Sequence, residues 1–320
     1  MSISSDATVQ SHNSSADGQS TSNVPVVRAA VHWRAIPPFL PELNPVHERA
    51  IILGRTVGKQ LKQAIEESGC IPEVAIISGT ILASSLSDEA DTLASFYREI
   101  QDIAGICPSG VATAYQCAGW GYTLRFFAQF TTVRRLAILL VDIDLHNFEA
   151  ALNHPVIGAS GFGVTTLLFD IRPGSDVFAC GGPYRNSAYN ELITELKRKQ
   201  KLIGTIPTFI PFMRKEYAVT PERVLAKGSL GPNLNDELGH CFGADPWIGI
   251  IRNFAGKPYS TDVLVGSVGF KGYFTVAQVA ILPDSVLRID TIELGSIGND
   301  SLPQKLKSEL RRSRFSGNIN

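Results

Sequence analysis

Apolar and polar positions follow two rhythms along this chain. Continuous apolar runs of strand length stand at Glu73–Leu82 (EVAIISGTIL), Arg135–Val141 (RLAILLV) and Asp262–Val268. Runs this short with no polar face predict strands buried on both sides. Between them the pattern switches to a helical period. Ile51, Ile52, Val57, Leu61 and Ile65 stripe a helix over Val46–Glu67 that Gly69 stops, and a second amphipathic helix covers Ala90–Ala104. Further strands are predicted at Val24–Trp33, Val111–Tyr115, Arg223–Leu230, Phe274–Leu282 and Val286–Leu294, and Gly158–Phe169 reads as a glycine-rich turn feeding a strand. Further helices are predicted from just after Cys117 to Thr131, at Ala188–Lys201 and at Pro246–Phe254, with a short helical turn at Glu149–Leu152. Proline-rich IPPFLPELNP and Ile206–Phe212 interrupt the pattern. Buried strands alternating with helices imply an α/β sheet layered by helices.

The two ends differ from the body. Residues 1–23 are mostly Ser, Asn, Asp and Gln, too few of them apolar to offset ordering entropy, and disorder is expected. The segment Lys305–Arg314, within a basic tail at 301–320, carries five basic residues and one acid, as a solvated helical end would.

With 320 residues there is room for one large domain or two fused halves, and 44% apolar against 18% charged residues fits a large core. A net charge of −1 gives no hint of a nucleic-acid surface. No apolar run reaches the roughly 18 residues of a membrane-spanning helix, and no basic-then-apolar leader opens the chain. Cys70, Cys107, Cys117, Cys180 and Cys241 are scattered and without a CxxC pair, which indicates neither a zinc site nor a disulfide framework. The simplest setting is a reducing cytoplasm.

Candidate chemistry centres on Ser109–Phe127, SGVATAYQCAGWGYTLRFF. Cys117 sits where a strand gives way to a helix, and the small residues Ala118 and Gly119 follow it. A helix N-terminus offers free N–H groups and about half a positive charge, both of which favour a thiolate. The alternative is an inert cysteine packed like a small apolar residue. Downstream, LGHCFGADPWIGI sets His240 five residues before Asp245. Asp245 also reads as a helix N-cap ahead of Pro246, and His240 as a structural histidine bonded to a carbonyl. Cys241, Trp120, Phe162, Tyr115 and Tyr122 read as packing, and His146 and His154 as loop residues near a strand end.

Three stretches resemble the thiolase-fold ketoacyl-acyl-carrier-protein synthase III family. TAYQCAGWGYTL resembles its nucleophile segment, and VIGASGFGVTTLLF its glycine-rich strand turn, with Ser160 where the family usually has an acid. LGHCFGADPWIGI with DVLVGSVGFKGYF resembles its last catalytic loop and closing strand. The resemblance covers Val46–Phe169 well and Leu238–Val279 moderately; the middle is shorter than in the family. Condensing members carry a histidine and then an asparagine in a GN motif. Here that motif reads Gly239-His240, and no histidine lies between His154 and His240. This departure resembles the synthase III-like acyltransferases of natural-product pathways, which use a Cys-His-Asp or Ser-His-Asp set.

The resemblance implies a five-layered α/β/α/β/α fold, two central sheets between helical layers, in two pseudo-repeated halves, residues 24–172 bearing Cys117 and residues 173–300 bearing His240 and Asp245, the second half shortened. It implies an acyltransferase in secondary metabolism with Cys117, His240 and Asp245 as catalytic residues. Backbone N–H groups of Cys117 and of Phe270, in the turn Gly269-Phe270-Lys271, would form the oxyanion hole. No cofactor or metal is expected. The substrate would be an acyl-CoA or acyl-phosphopantetheine thioester, the latter on an acyl carrier protein, and the acceptor a small molecule or second carrier. A homodimer is implied, with GICPSGVATAYQ along the interface; nucleic-acid and membrane partners are not. Two other readings stay open: a decarboxylative condensing enzyme, and a non-catalytic subunit of a thiolase-fold heterodimer.

Overall fold

The computed structural model describes residues 23–35, 46–82, 90–143, 145, 153–154, 157–172, 174–184 and 188–292. The N-terminal segment to residue 22, the proline-rich stretch 36–45, His146, the expected turn at 149–152 and the basic tail lie outside the described residues.

Seven helices are described: α1 (Val46–Ser68), α2 (Ala90–Ala104), α3 (Gly119–Phe130), α4 (Ala188–Ile203), α5 (Lys215–Val224), α6 (Asn235–Leu238) and α7 (Asp245–Phe254). The longer strands are β1 (Val26–Ala35), β2 (Val74–Ser78), β4 (Arg135–Asp142), β7 (Gly163–Asp170), β10 (Thr261–Val268) and β11 (Phe274–Ile292). Shorter ones are β3 (Gly110–Ala112), β5 (Asn153–His154), β6 (Gly158–Ala159), β8 (Phe178–Gly181) and β9 (Thr208–Phe209). Nine strands form one sheet in the order β3-β2-β4-β7-β1-β11-β10-β9, with β8 also paired to β11.

Side-chain alternation on these strands sorts the core into layers. On the first face Ala29, Val31, Ala75, Ile77, Leu139 and Val164 meet Leu53, Val57 and Leu61 of α1 and Phe96 and Ile100 of α2. The opposite face sends Ala30, Ile138 and Leu167 against Trp120 and Leu124 of α3 and Trp247 and Ile251 of α7. These two helices also pack on Val263, Val265 and Val279 from the other end of the sheet. Beyond it, Leu264 and Val276 meet Leu192 and Leu196 of α4. The layer order is therefore α1 and α2, strands, α3 and α7, strands, α4: a thiolase-like five-layered α/β arrangement, with the two strand layers hydrogen-bonded into one sheet where separate sheets were expected.

The join explains one difference from the sequence reading. Phe274–Leu282 and Val286–Leu294 are a single strand, β11, antiparallel to β10 at its start and parallel to β1 at its end. The register slips where Val27 pairs with Ile281 but Ala29 with Val286. Ser285 covers this irregularity: its Oγ accepts from the Leu282 N–H at 2.9 Å and donates to the Val27 carbonyl at 2.6 Å. A side chain thus supplies the pairing that the bulge and Pro283 take from the backbone.

Other differences are local. Arg223–Leu230 is not a strand. Its first residues close α5, Gly228 turns at φ +77°, and the Ser229 N–H reaches back to the Ala226 carbonyl, leaving one bridge from Leu230 to Thr208. The predicted Val111–Tyr115 strand shrinks to β3 at the sheet's end. Among the described residues no strand pairs with its outer edge. Among the described residues no helix is long and apolar enough to cross a membrane.

Inside this frame His32 on β1 is buried, its Nδ1 2.8 Å from Thr165 Oγ1. Burial, aided by Arg34, lowers its pKa to about 3. Between that value and the usual 6.5 the unfolded chain binds the extra proton, so this stability is present above pH 6.5 and lost as pH falls. From pH 7 to pH 5 the loss is about 2 kcal/mol. Chemical denaturation at both pH values should show the His32→Gln variant losing that much less than the parent; equal losses would refute the assignment.

Candidate active site

Strands β3, β2 and β4 are parallel neighbours, with Ala112, Ser78 and the Leu140 beside it in register. Their carboxyl ends therefore open on one side of the sheet, the usual side for ligands in α/β folds. After β3 the chain makes a 3-10 turn over Gln116–Ala118 and enters α3. Cys117 sits in that turn, 1% exposed. Gln116 before it has φ +52°, costly for a residue with a side chain. Its Oε1 accepts from the Lys271 N–H at 2.8 Å, tying this turn to the Gly269–Lys271 turn that contains Phe270.

His240 arrives from the other half. The glycine-rich segment at β6 clamps its backbone: His240 N–H donates to the Ala159 carbonyl, and the His240 carbonyl accepts from Gly161, both at 2.8 Å. Gly239 has φ +76° and lies so close to Ala159 that a Cβ would come within 2.5 Å of its carbonyl oxygen. Only glycine fits the GH turn on both counts. Ser160, standing where the resembled family has an acid, bridges to His240 through the backbone.

Asp245 is the first residue of α7 and is fully buried; Ala244, not Asp245, holds the N-cap position, and no side chain caps this helix. The carboxylate reaches backward instead. Oδ1 accepts from the Cys241 N–H at 2.6 Å, Oδ2 from the Phe212 N–H at 2.8 Å, and Oδ2 lies 2.6 Å from His240 Nδ1. Cys117 lies beside the imidazole, close enough to act on its charge. The structure thus brings Cys117, His240 and Asp245 together. Burial by itself would lower the His240 pKa, but the Asp245 carboxylate against Nδ1, joined by Cys117, raises it to about 10. Burial pushes the Asp245 carboxyl up, against His240 and its two backbone donors.

The surroundings are apolar. Phe242 (φ +54°) packs its ring 5.2 Å from that of His240 and 6.1 Å from Phe162, and Phe270 lies 6.4 Å from His240. A cavity of about 200 Å³ reaches His240, walled by Ile157, Tyr189, Met213, Val268 and Phe270. A larger one, about 530 Å³, lies elsewhere, at the β3 edge among Val111, Tyr115, Tyr122, Phe126 and Phe130. Trp120 is core, as read from the sequence, and Cys241 points into packing beside Leu238. Tyr115 and Tyr122 stack at 3.9 Å. His154 is placed in β5 by its backbone.

Two residues at the site escaped the sequence reading. Thr80, just beyond β2, has its Oγ1 3.1 Å from Cys117 Sγ. Asp142 ends β4, and its Oδ1 accepts from the Thr80 and Ile81 N–H groups at 2.6 and 3.2 Å. The available signal was a carboxylate ending a fully apolar run, LLVD. Burial raises the Asp142 pKa to about 6, against those two N–H groups and His240.

Removing the Asp245 carboxylate strands two buried backbone donors and takes away the ion-pair partner of His240. Asp245→Ala should lower unfolding free energy by about 3–5 kcal/mol, as for a broken buried ion pair. Asp245→Asn, which keeps an acceptor, should cost less. Urea denaturation measures both; an Ala variant as stable as the parent would show that the carboxylate does not organise this loop.

No protein-family model matches the chain. No curated protein matches its sequence. Solved structures do match its fold. The acyltransferase ChlB3 superposes with a TM-score of 0.59 at 10% identity, over 82% of this chain and 99% of that one. A 3-oxoacyl-(acyl-carrier protein) synthase from Burkholderia xenovorans LB400 gives 0.56 at 12% identity, over 85% and 98%. AbyA1, a tetronic acid condensing enzyme, gives 0.54 at 14%, over 79% and 98%. The chain has the fold shared by these 3-oxoacyl synthase III-like condensing enzymes and acyltransferases.

Proposed function

We propose that the protein is an acyltransferase that carries its acyl group on Cys117. The observation that carries this reading is the buried contact of Cys117 with an imidazole whose Nδ1 faces the Asp245 carboxylate. A histidine paired with a carboxylate is equipped to accept and return a proton. Cys117 loses its proton to His240 and attacks the carbonyl carbon of an acyl thioester. The carbon–sulfur bond to the carrier breaks, and the leaving thiol takes the proton back from His240. The acceptor's hydroxyl, amine or thiol then gives its proton to His240 and attacks the acyl-cysteine, and Cys117 leaves as thiolate. Backbone N–H groups of Cys117 and Phe270 hold the oxyanion in both steps.

Donors of the kind implied are thioesters of an acyl carrier protein, as the name of the matched synthase suggests, or of coenzyme A. Condensation is the weaker alternative, because an enolate oxygen would meet a single imidazole where the resembled condensing enzymes offer a histidine and an asparagine. Incubation with a panel of acyl thioesters should add an acyl mass to Cys117 in intact-protein mass spectrometry and none to Cys117→Ala. His240→Ala should slow acylation and transfer by about 10²–10⁴-fold. Full labelling and turnover in the His240→Ala protein would remove His240 from the mechanism, and release of carbon dioxide from a malonyl thioester would select condensation.

The assembly that fits the sheet is a homodimer through β3. The strand ends the sheet order, and Val111, Phe126 and Phe130 beside it are 38%, 53% and 69% exposed around the larger cavity. An open strand edge flanked by aromatic rings favours pairing. Light scattering at micromolar concentration should report a dimer and Phe130→Asp should shift it toward monomer; a monomeric parent protein would refute it.

A further inference from the structure

The sulfur of Cys117 has a second partner besides His240, and a buried carboxylate fixes where that partner stands. Gly79, Thr80 and Ile81 form the turn leaving β2, alongside the end of β4. A Cβ on Gly79 would collide with the Val141 carbonyl, so glycine lets the turn lie directly against β4. Asp142, next after Val141, then takes both the Thr80 and Ile81 N–H groups on one oxygen. This pins the Thr80 backbone. Its Oγ1 is consequently held 3.1 Å from Cys117 Sγ. A hydroxyl beside a thiol gives or accepts, but beside a thiolate it has to donate.

We infer that Thr80 is a further catalytic residue, donating its hydroxyl proton to the ionised Cys117 sulfur, and that Asp142 is its positioning residue. This rests on the acyl-transfer reading and deepens it. Cys117 bears negative sulfur twice in that reaction, before attack on the thioester and again when it leaves the acyl group. At both moments His240 is engaged with another group, holding the proton destined for the leaving thiol or the one just taken from the acceptor. A hydroxyl that donates without transferring its proton stabilises the sulfur anion while the imidazole is so engaged. Charge-assisted hydrogen bonds of this kind are stronger than neutral ones.

The test uses the full chain and iodoacetamide, which alkylates a thiolate and needs no knowledge of the natural substrate. Peptide mass spectrometry follows Cys117 apart from the exposed Cys107 and the half-buried Cys180. Thr80→Val, close in shape, should slow Cys117 alkylation at pH 7 about tenfold, the equivalent of one such hydrogen bond. The deficit should shrink as pH rises, because base then supplies the thiolate. Thr80→Ser should restore the rate. Asp142→Asn should give a smaller deficit with the same pH dependence.

A Thr80→Val protein alkylated at the parent rate would overturn the inference. So would a deficit equal at every pH, or one that Thr80→Ser leaves in place, since either marks a packing defect. His240→Ala serves as the reference. If it slows alkylation while Thr80→Val does not, the inference fails alone; if neither variant changes the rate, the acyl-transfer reading fails with it.

Discussion

A carboxylate sealed from water has to be met by partners within the protein, and Asp245 is met from two segments. The loop before α5 offers the Phe212 N–H, and the turn before α7 offers both the Cys241 N–H and the His240 ring. An uncompensated charge here would cost several kcal/mol, so the two segments are held in one arrangement by the same group. The orientation of the imidazole follows. With Nδ1 held against Asp245, the plane of the ring is set by the fold before any substrate enters.

Backbone geometry around the sulfur is unusual for the same reason. The two non-glycine residues described with positive φ, Gln116 and Phe242, lie beside Cys117 and close after His240. Such conformations persist where neighbouring contacts over-determine them. Gln116 is held by its side-chain bond to Lys271, and Phe242 by burial between the His240 and Phe162 rings. In each case the strained residue turns the chain so that its reactive neighbour faces inward. A relaxed turn at either place would direct Cys117 or His240 elsewhere.

What the sequence discloses depends on how many contacts enforce a pattern. Strands β2, β4 and β10 and helices α1, α2 and α7 were legible because burial dictates each of their positions. Strands β8 and β9 have four and two residues, too few for a period to register, and β3 ends sooner than its sequence suggests. Helix α5 was hidden by Pro221 within it. Cys117, His240 and Asp245 stood out because their residue types and spacing have few other uses together. Thr80 and Asp142 did not, since their meeting depends on the register of β2 against β4. Gln116 and Phe242 carry no sequence signal for a positive φ at all.

The distance between sulfur and imidazole is finally a matter of two helices. Cys117 stands two residues before α3, and His240 five residues before Asp245 at the head of α7; the two come from opposite ends of the sheet order. Trp120, one residue into α3, and Trp247, two residues into α7, pack edge to face with ring centroids 4.9 Å apart. Both are fully buried, and Trp120 Nε1 donates to Ser267 Oγ at 2.8 Å. This contact stands one turn below the reactive groups and sets how near the two helix starts can approach. It also brings two helix N-termini to one place, where their partial positive charge favours the Asp245 carboxylate. The central helical layer is thus the element that converts a sheet of two unlike halves into one site.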